Sequence, residues 1–358
     1  MAVKRYPAID TMPFGGTGKD GAFDPQSNYD YSDSEGSWIV KEYASVNIDN
    51  GIIVSTTNRV KGLIMFVRGD VTINGEIDLD GKGYGADDGD IIPNYYANYF
   101  ESGILKNAIM EKCASMIGGD GGGGGGGGYR TATVTYDALA AGDKAGGASR
   151  NPSSGGDHDA VGWQSGLSKG NTHINLGGTF NANAYSSQGT SRAGNGGGAY
   201  KGIKNSGGHG GGGGGGSFTT STGSHGANAT LSVKGALGAK GQGNCGDGGV
   251  SGYASSSLII ICAGNLTFGA TCDVSCNGEN GSNGENADSA TYGSGAGGGG
   301  GGGGVQAYLY QGALSLDGGA ARTVAGGTKG LGGTVGAVGT DGGDGSVGTI
   351  VTQQIPRS

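Results

Sequence analysis

The stretch LIIICAGNLTFGATCDVSCNG, residues 258–278, decides how this chain is read. It opens on an apolar run, reaches Gly264-Asn265, and continues in short apolar–polar alternation. A similar phrase, LIMFVRGDVTINGEIDLDG, occupies residues 63–81, and the two align without a gap. Gly69 falls on Gly264, Asp70 on Asn265, Thr72 on Thr267 and Asp78 on Asp273; Cys272 falls on Ile77. In the earlier copy Val71 and Ile73 alternate with Asp70 and Thr72, and Ile77 and Leu79 with Asp78 and Asp80. That is the period of a strand with one buried face. VQAYLYQGALSLDGGA, residues 305–320, fits a third time with Gly312 at the same place, and LSVKGAL, residues 231–237, is a shorter fourth copy. WIVKEYASVNIDNGIIV, residues 38–54, also has strand length and β-branched content. Each strand–turn–strand phrase alone buries too little, so the copies must stack. The expectation is an all-β fold of glycine-rich, β-solenoid-like repeats.

The glycines set a second problem. There are 88 of them in 358 residues, with uninterrupted runs beginning at Gly121, Gly210 and Gly297. Ordering eight residues costs on the order of 10 kcal/mol in backbone entropy, and glycine has the most to lose. Two readings compete: flexible tethers, or packed polyglycine-II helices. The latter have three residues per turn and no internal hydrogen bonds, and only glycine lets their backbones approach closely enough to bond laterally. The near-even spacing of the runs favours packing. GNGGGAYKG (194–202) and GGTKGLGGTVGAVGTDGGDG (326–345) would supply further members. One short amphipathic helix is expected over 94–117, where Tyr96, Phe100, Ile104, Ala108 and Ile109 make a stripe between an Asn94 cap and a Gly118 stop.

The phrase at residues 258–284 with its following glycine run, and GGGGGGGGVQAYLY at 297–310, resemble glycine-rich proteins of bacteriophage tails. The resemblance covers roughly residues 60–350. In that group, tail-fibre adhesins fold as packed polyglycine-II helices whose tips bind the host surface. It implies a virion protein made in the host cytoplasm, with other tail proteins as partners, a homo-oligomeric state, and a host-surface glycan or protein as ligand.

Composition excludes other classes. A net charge of −8 without a basic cluster disfavours nucleic acid. No apolar run follows the charged first twelve residues, so no secretory leader is expected, and LIIICA is too short to insert in a membrane. Five cysteines in a chain this long are not a disulfide scaffold. FGGTGKDG (14–21) has Asp20 where a phosphate loop needs Ser or Thr, which repels phosphate and leaves the reading of a flexible arm. DLDGKGYGADDGD (78–90) gathers Asp78, Asp80, Asp87 and Asp88 as cation-ligand candidates, but Lys82 and Gly89 stand where an EF-hand needs oxygen donors. The four histidines are scattered and offer no nucleophile–base pair. No cofactor and no catalysis are expected.

Three regions follow: an N-terminal arm (1–36), a β-rich domain with the helix (37–117), and a glycine-rich repeat domain (118–358). The host-contact candidates are Trp163 with Asp157, His158 and Asp159, and the aromatic set Tyr95, Tyr96 and Tyr99. An indole face beside carboxylates suits a sugar ring and its hydroxyls. The expected function is a tail or tail-fibre protein that contributes to host attachment. The alternatives are a purely structural tail-tip or decoration subunit, and a polysaccharide-degrading spike, which would need paired carboxylates.

Overall fold

The computed structural model describes residues 14–84, 121–122, 124–125, 127, 129–130, 135–136, 217–218, 241 and 244–355. All regular secondary structure among them is β-strand. The helix expected over 94–117, and the phrases at 194–202 and 231–237, lie outside them.

The chain lays down strands in a repeating order: β1 (Ala22–Phe23), β2 (Tyr29–Tyr31), β3 (Trp38–Tyr43), β4 (Ser45–Ile48), β5 (Ile53–Thr56), β6 (Gly62–Val67), β7 (Val71–Ile73) and β8 (Glu76–Asp78). After β9 (Tyr129–Arg130), β10 (Thr135–Tyr136) and β11 (Ser217–Phe218), which form a small sheet of their own, the order resumes. β12 (Ser257–Cys262), β13 (Leu266–Phe268), β14 (Asp273–Ser275), β15 (Val305–Tyr310), β16 (Leu314–Leu316), β17 (Ala321–Thr323) and β18 (Thr349–Gln354) complete it. The result is three five-stranded sheets: β1-β4-β7-β13-β16, β2-β5-β8-β14-β17 and β3-β6-β12-β15-β18. Every pair in them is parallel. Each pass of the chain adds one strand to each sheet in turn. One hydrogen bond recurs at the same corner of every pass: Ala44 N–H to Gly21 O, Arg68 to Tyr43, Ala263 to Val67, Gln311 to Cys262, and Ile355 to Tyr310.

Burial follows the sequence pattern. β7 and β13 alternate with one face inward, whereas β6, β12 and β15 are buried at every position. Their near-continuous apolar runs reflect burial on both faces. Leu63, Met65, Leu258, Ile260 and Tyr308 point into the core shared by the three sheets; Ile64, Phe66, Ile259, Ile261 and Leu309 join a second cluster with Phe14, Trp38 and Ile355. The amide of buried Gln306 is satisfied: it donates to the Val274 and Thr323 carbonyls and accepts from the Tyr308 hydroxyl.

The gapless alignment holds through β6 on β12 and β7 on β13, but not at the third strand. There Ile77 pairs with Val274 and Asp78 with Ser275, two residues beyond the expected Cys272 and Asp273. The turn before β14 is longer than Asn74-Gly75, and a two-residue slip keeps every side chain on its face. Cys272 is nevertheless a small buried hydrophobe in the core, as is Cys276. The described part of the expected arm also differs: β1 and β2 join two of the sheets, and Phe23 and Tyr31 are buried with Tyr43 in a ring stack. Spaced aromatics build this rung where aliphatic alternation is missing. The sheets likewise run across the expected boundary at 117/118, since β12 pairs with β6.

Between β14 and β15, and again between β17 and β18, the chain leaves the sheets and returns. Residues 276–288 run out and 293–304 run back; 324–335 run out and 337–348 back; residues 244–256 lead into β12. These segments bond to one another at every third residue and not within themselves. Gly295, Gly298 and Gly301 donate to Glu285, Ser282 and Glu279; Gly297, Gly300 and Gly303 donate to Thr340, Gly343 and Ser346; Gly246, Gly249 and Gly252 donate to Gly293, Ala296 and Gly299. Gly327, Gly330 and Gly333 donate back to Gly301, Gly298 and Gly295. Part of the first glycine run joins as well, Gly122 donating to Gly300 and Gly125 to Gly297. Residues 293–304 are thus surrounded and wholly buried. A Cβ on Gly297, Gly298 or Gly301 would collide with the carbonyl oxygen of Gly330, Val250 or Tyr253. Of the three long glycine runs, the first and third are therefore neighbours; the second lies outside the described residues.

Candidate functional site

Along one row of this lattice, side chains supply the acceptors. In NGENGSNGEN (277–286), Asn277, Asn280, Asn283 and Asn286 accept the N–H of Ala325, Thr328, Leu331 and Thr334 at 2.7–2.8 Å. Asp344 and Asp341 do the same for Lys329 and Gly332, and Lys329 Nζ lies 3.1 Å from Asp341. A short side-chain acceptor every third residue reaches donors that would otherwise depend on water.

This bracing fixes the two turns at the far end of the lattice. In the first, Tyr292 N–H donates to Ser289 O, and the Ser289 and Thr291 hydroxyls lie 2.7 Å apart. In the second, Gly336 adopts φ +75°, and a Cβ there would collide with Tyr292 O. Only glycine suits such a position. The turns are tied together: Ala337 N–H donates to Tyr292 O, and Ser294 Oγ donates to Val335 O while accepting from Ala287 N–H. Asp288 N–H is tied in turn to Asn244 O. Above the buried Ala287, Ser294 and Ala337, the turns expose Asn244, Asp288, Ala290, Thr291 and Thr334. Hydroxyl, carboxamide and carboxylate groups on rigid turns can bind a hydroxyl-rich or polar ligand.

Of the residues singled out from sequence, Trp163, Asp157, His158, Asp159, Tyr95, Tyr96, Tyr99, Asp87 and Asp88 lie outside the described residues. Asp80 braces the neighbouring pass, and Asp78 holds the turn after β8. Asp80 accepts from the Asn277 backbone N–H at 2.6 Å and its side-chain amide at 3.1 Å, and Asp78 accepts from Asp80 N–H at 2.9 Å. Among the described residues no three His, Cys, Asp or Glu side chains converge as metal ligands. Burial pushes the Cys262, Cys272 and Cys276 thiols up to about 12, far from a reactive thiolate.

FGGTGKDG is folded over its whole length. Gly15, Gly16, Gly18 and Gly21 all have positive φ, and the loop closes on Glu42 of β3. Thr17 donates to that carboxylate through its N–H (3.1 Å) and hydroxyl (2.7 Å), and Lys19 Nζ lies at 2.6 Å. The loop does bind an anion, but the anion is the protein's own. Asp20, which spoils the phosphate pattern, accepts from Glu42 N–H at 2.7 Å.

The turn residues were missed by sequence reading. Their signal is compositional: NADSATYGS (286–294) is the stretch without lattice spacing between two glycine-rich segments. No family model, no curated protein and no solved structure matches the chain.

Proposed function

We propose that this protein is a component of a bacteriophage tail or tail fibre that contributes to host-surface attachment. In this reading the stacked parallel strands are a β-solenoid, and the glycine segments are polyglycine-II helices that project from it. One observation carries the reading: lateral hydrogen bonds at every third residue, along segments that end in exposed, braced turns. The three-residue period matches polyglycine-II geometry, and the resemblance to phage adhesins rests on the same segments. At about 3.1 Å per residue, the twelve residues of 293–304 would carry the turns some 35–40 Å from the sheets. Asp288, Thr291 and Thr334 are the contact residues of choice.

The experiment replaces Asp288 and Thr291 together by Ala in the assembled particle. Both side chains are exposed, so folding and incorporation are expected to be normal, with host adsorption falling at least about tenfold, the equivalent of one lost pair of good hydrogen bonds. Normal adsorption by a normally assembled particle removes these turns as the contact. The same assay on Trp163→Ala tests the indole. A purely structural role is the second reading, favoured by the unpaired outer edges of β16, β17 and β18 among the described residues; it predicts that neither variant changes adsorption.

A further inference from the structure

The two ends of the strand stack fit each other. At one end the last strands of the three sheets are β16, β17 and β18; at the other they are β1, β2 and β3. Each set is consecutive in the chain and is therefore one complete pass. At the first end nothing among the described residues pairs with the outer edges, and three apolar side chains there are uncovered: Leu314 is 36% exposed, Leu316 48% and Ile350 38%. At the second end the outer edge of β3 is not open. Residues 18–21 lie at its end, Asp20 N–H donating to Glu42 O and Ala44 N–H to Gly21 O, while Phe14, Gly15 and Gly16 pack over β6 and the turn after β12. The bond from Ala44 is the one that Arg68, Ala263, Gln311 and Ile355 make to the preceding strand of the same sheet in later passes. The loop thus stands where a strand equivalent to β18 would stand.

We propose that copies of this chain associate head to tail, β16, β17 and β18 of one copy pairing in parallel with β1, β2 and β3 of the next. β18 then takes the place of residues 18–21, and its last carbonyls accept the Ala44 bond. The register is fixed by the columns that already run through the stack. Phe23, Val46, Val71, Leu266 and Leu314 form one column, so Phe23 of the next copy covers Leu314. Tyr29, Val54, Ile77, Val274 and Arg322 form another. Tyr29, 40% exposed, therefore meets Arg322, whose guanidinium already lies over Phe268 and Tyr308, in a further cation–π contact. Main-chain pairing supplies affinity and the apolar columns supply specificity, as in strand addition generally. The contact is heterologous and repeats along the stack axis, so it is open-ended. Because the loop must leave β3 first, its grip on Glu42 sets how readily the contact forms. The inference stands on the ends of the stack and is independent of host attachment.

The test uses the full chain. Sedimentation velocity over a concentration series is expected to show a ladder of species growing with concentration. The ladder should grow at least about tenfold more readily in Glu42→Ala, which frees the loop, and should be suppressed in Leu314→Lys/Leu316→Lys, since charge on an open edge blocks strand addition. Both leucines are exposed, so the double variant should fold. A second measurement fixes the register: mixing Ala22→Cys chains with Ala313→Cys chains should give a disulfide-linked heterodimer, because neighbouring strands lie about 4.8 Å apart and both positions are exposed. The proposal is overturned if wild type and Glu42→Ala both stay monomeric, if larger species persist unchanged with lysine at 314 and 316, or if the mixed cysteines do not cross-link.

Discussion

Glu42 combines the two opposing influences on a buried carboxylate. Burial raises its affinity for a proton; hydrogen bonds from Lys19 and Thr17 favour the ionised form and outweigh burial, so its pKa lies below the ordinary 4.5. A group depressed on folding contributes stability that is complete above the unfolded value and is lost as pH falls through the folded one. Protonation below the ordinary carboxylate range should therefore release residues 14–21 while the buried strands persist. Amide exchange across a pH series, corrected for intrinsic rates, checks this: protection of Asp20 and Ala44 should fall at acid pH and that of Ile259 to Ile261 should not. Equal protection at both pH values would show that Glu42 does not hold the loop. Sequence reading saw this loop as flexible because it judged Lys19 and Asp20 against an external phosphate. The partner is twenty-odd residues away in β3, and single-residue chemistry cannot announce it. The asparagines of 277–286 are the contrary case, since their spacing by three is plain in the letters, although their acceptor role needs the neighbouring segment.

At the scale of the element, glycine has opposite meanings in different places. A methyl on Gly301 would meet the Tyr253 carbonyl oxygen, whereas one on Gly318, in the turn after β16, meets nothing within 4 Å. Gly301→Ala should destabilise by about 2–4 kcal/mol, through overpacking against a backbone that cannot yield. Gly318→Ala should be neutral or stabilise by a few tenths of a kcal/mol to about 1 kcal/mol, by restricting the unfolded chain. Thermal unfolding of the pair decides it, and equal melting points would mean that the lattice tolerates side chains. The strands themselves were legible: LIIIC and VQAYLY lie in β12 and β15, and the repeat places Gly312 beneath Gly264. The slip at β14 was not legible, because a period of two makes registers two residues apart equivalent in pattern. β18 escaped notice because TIVTQQ lacks apolar–polar alternation: Thr352 and Gln354 stand in the columns that Tyr308 and Tyr310 fill in β15.

Across the whole molecule, lattice and sheets share one backbone. Residues 244–256, 293–304 and 337–348 pass directly into β12, β15 and β18, which are neighbours in one sheet. Loosening the lattice should therefore loosen that sheet, and Gly301→Ala should raise amide exchange of Ile259 to Ile261 along with that of the glycines. Exchange confined to the glycines would show two independent units, as repeat architectures permit. From sequence the two parts looked like successive domains, because composition changes sharply along the chain while the fold alternates between them in every later pass. The three-residue period has one more consequence, for inheritance. A gene lengthening this projection must add whole triplets on the outward arm and matching triplets on the return; any other number moves carbonyls off the amides that face them. Gain or loss of one glycine codon is therefore disruptive, and only units of three residues entered on both arms keep every bond. Reach can then vary from lineage to lineage while the strands beneath keep their pairing.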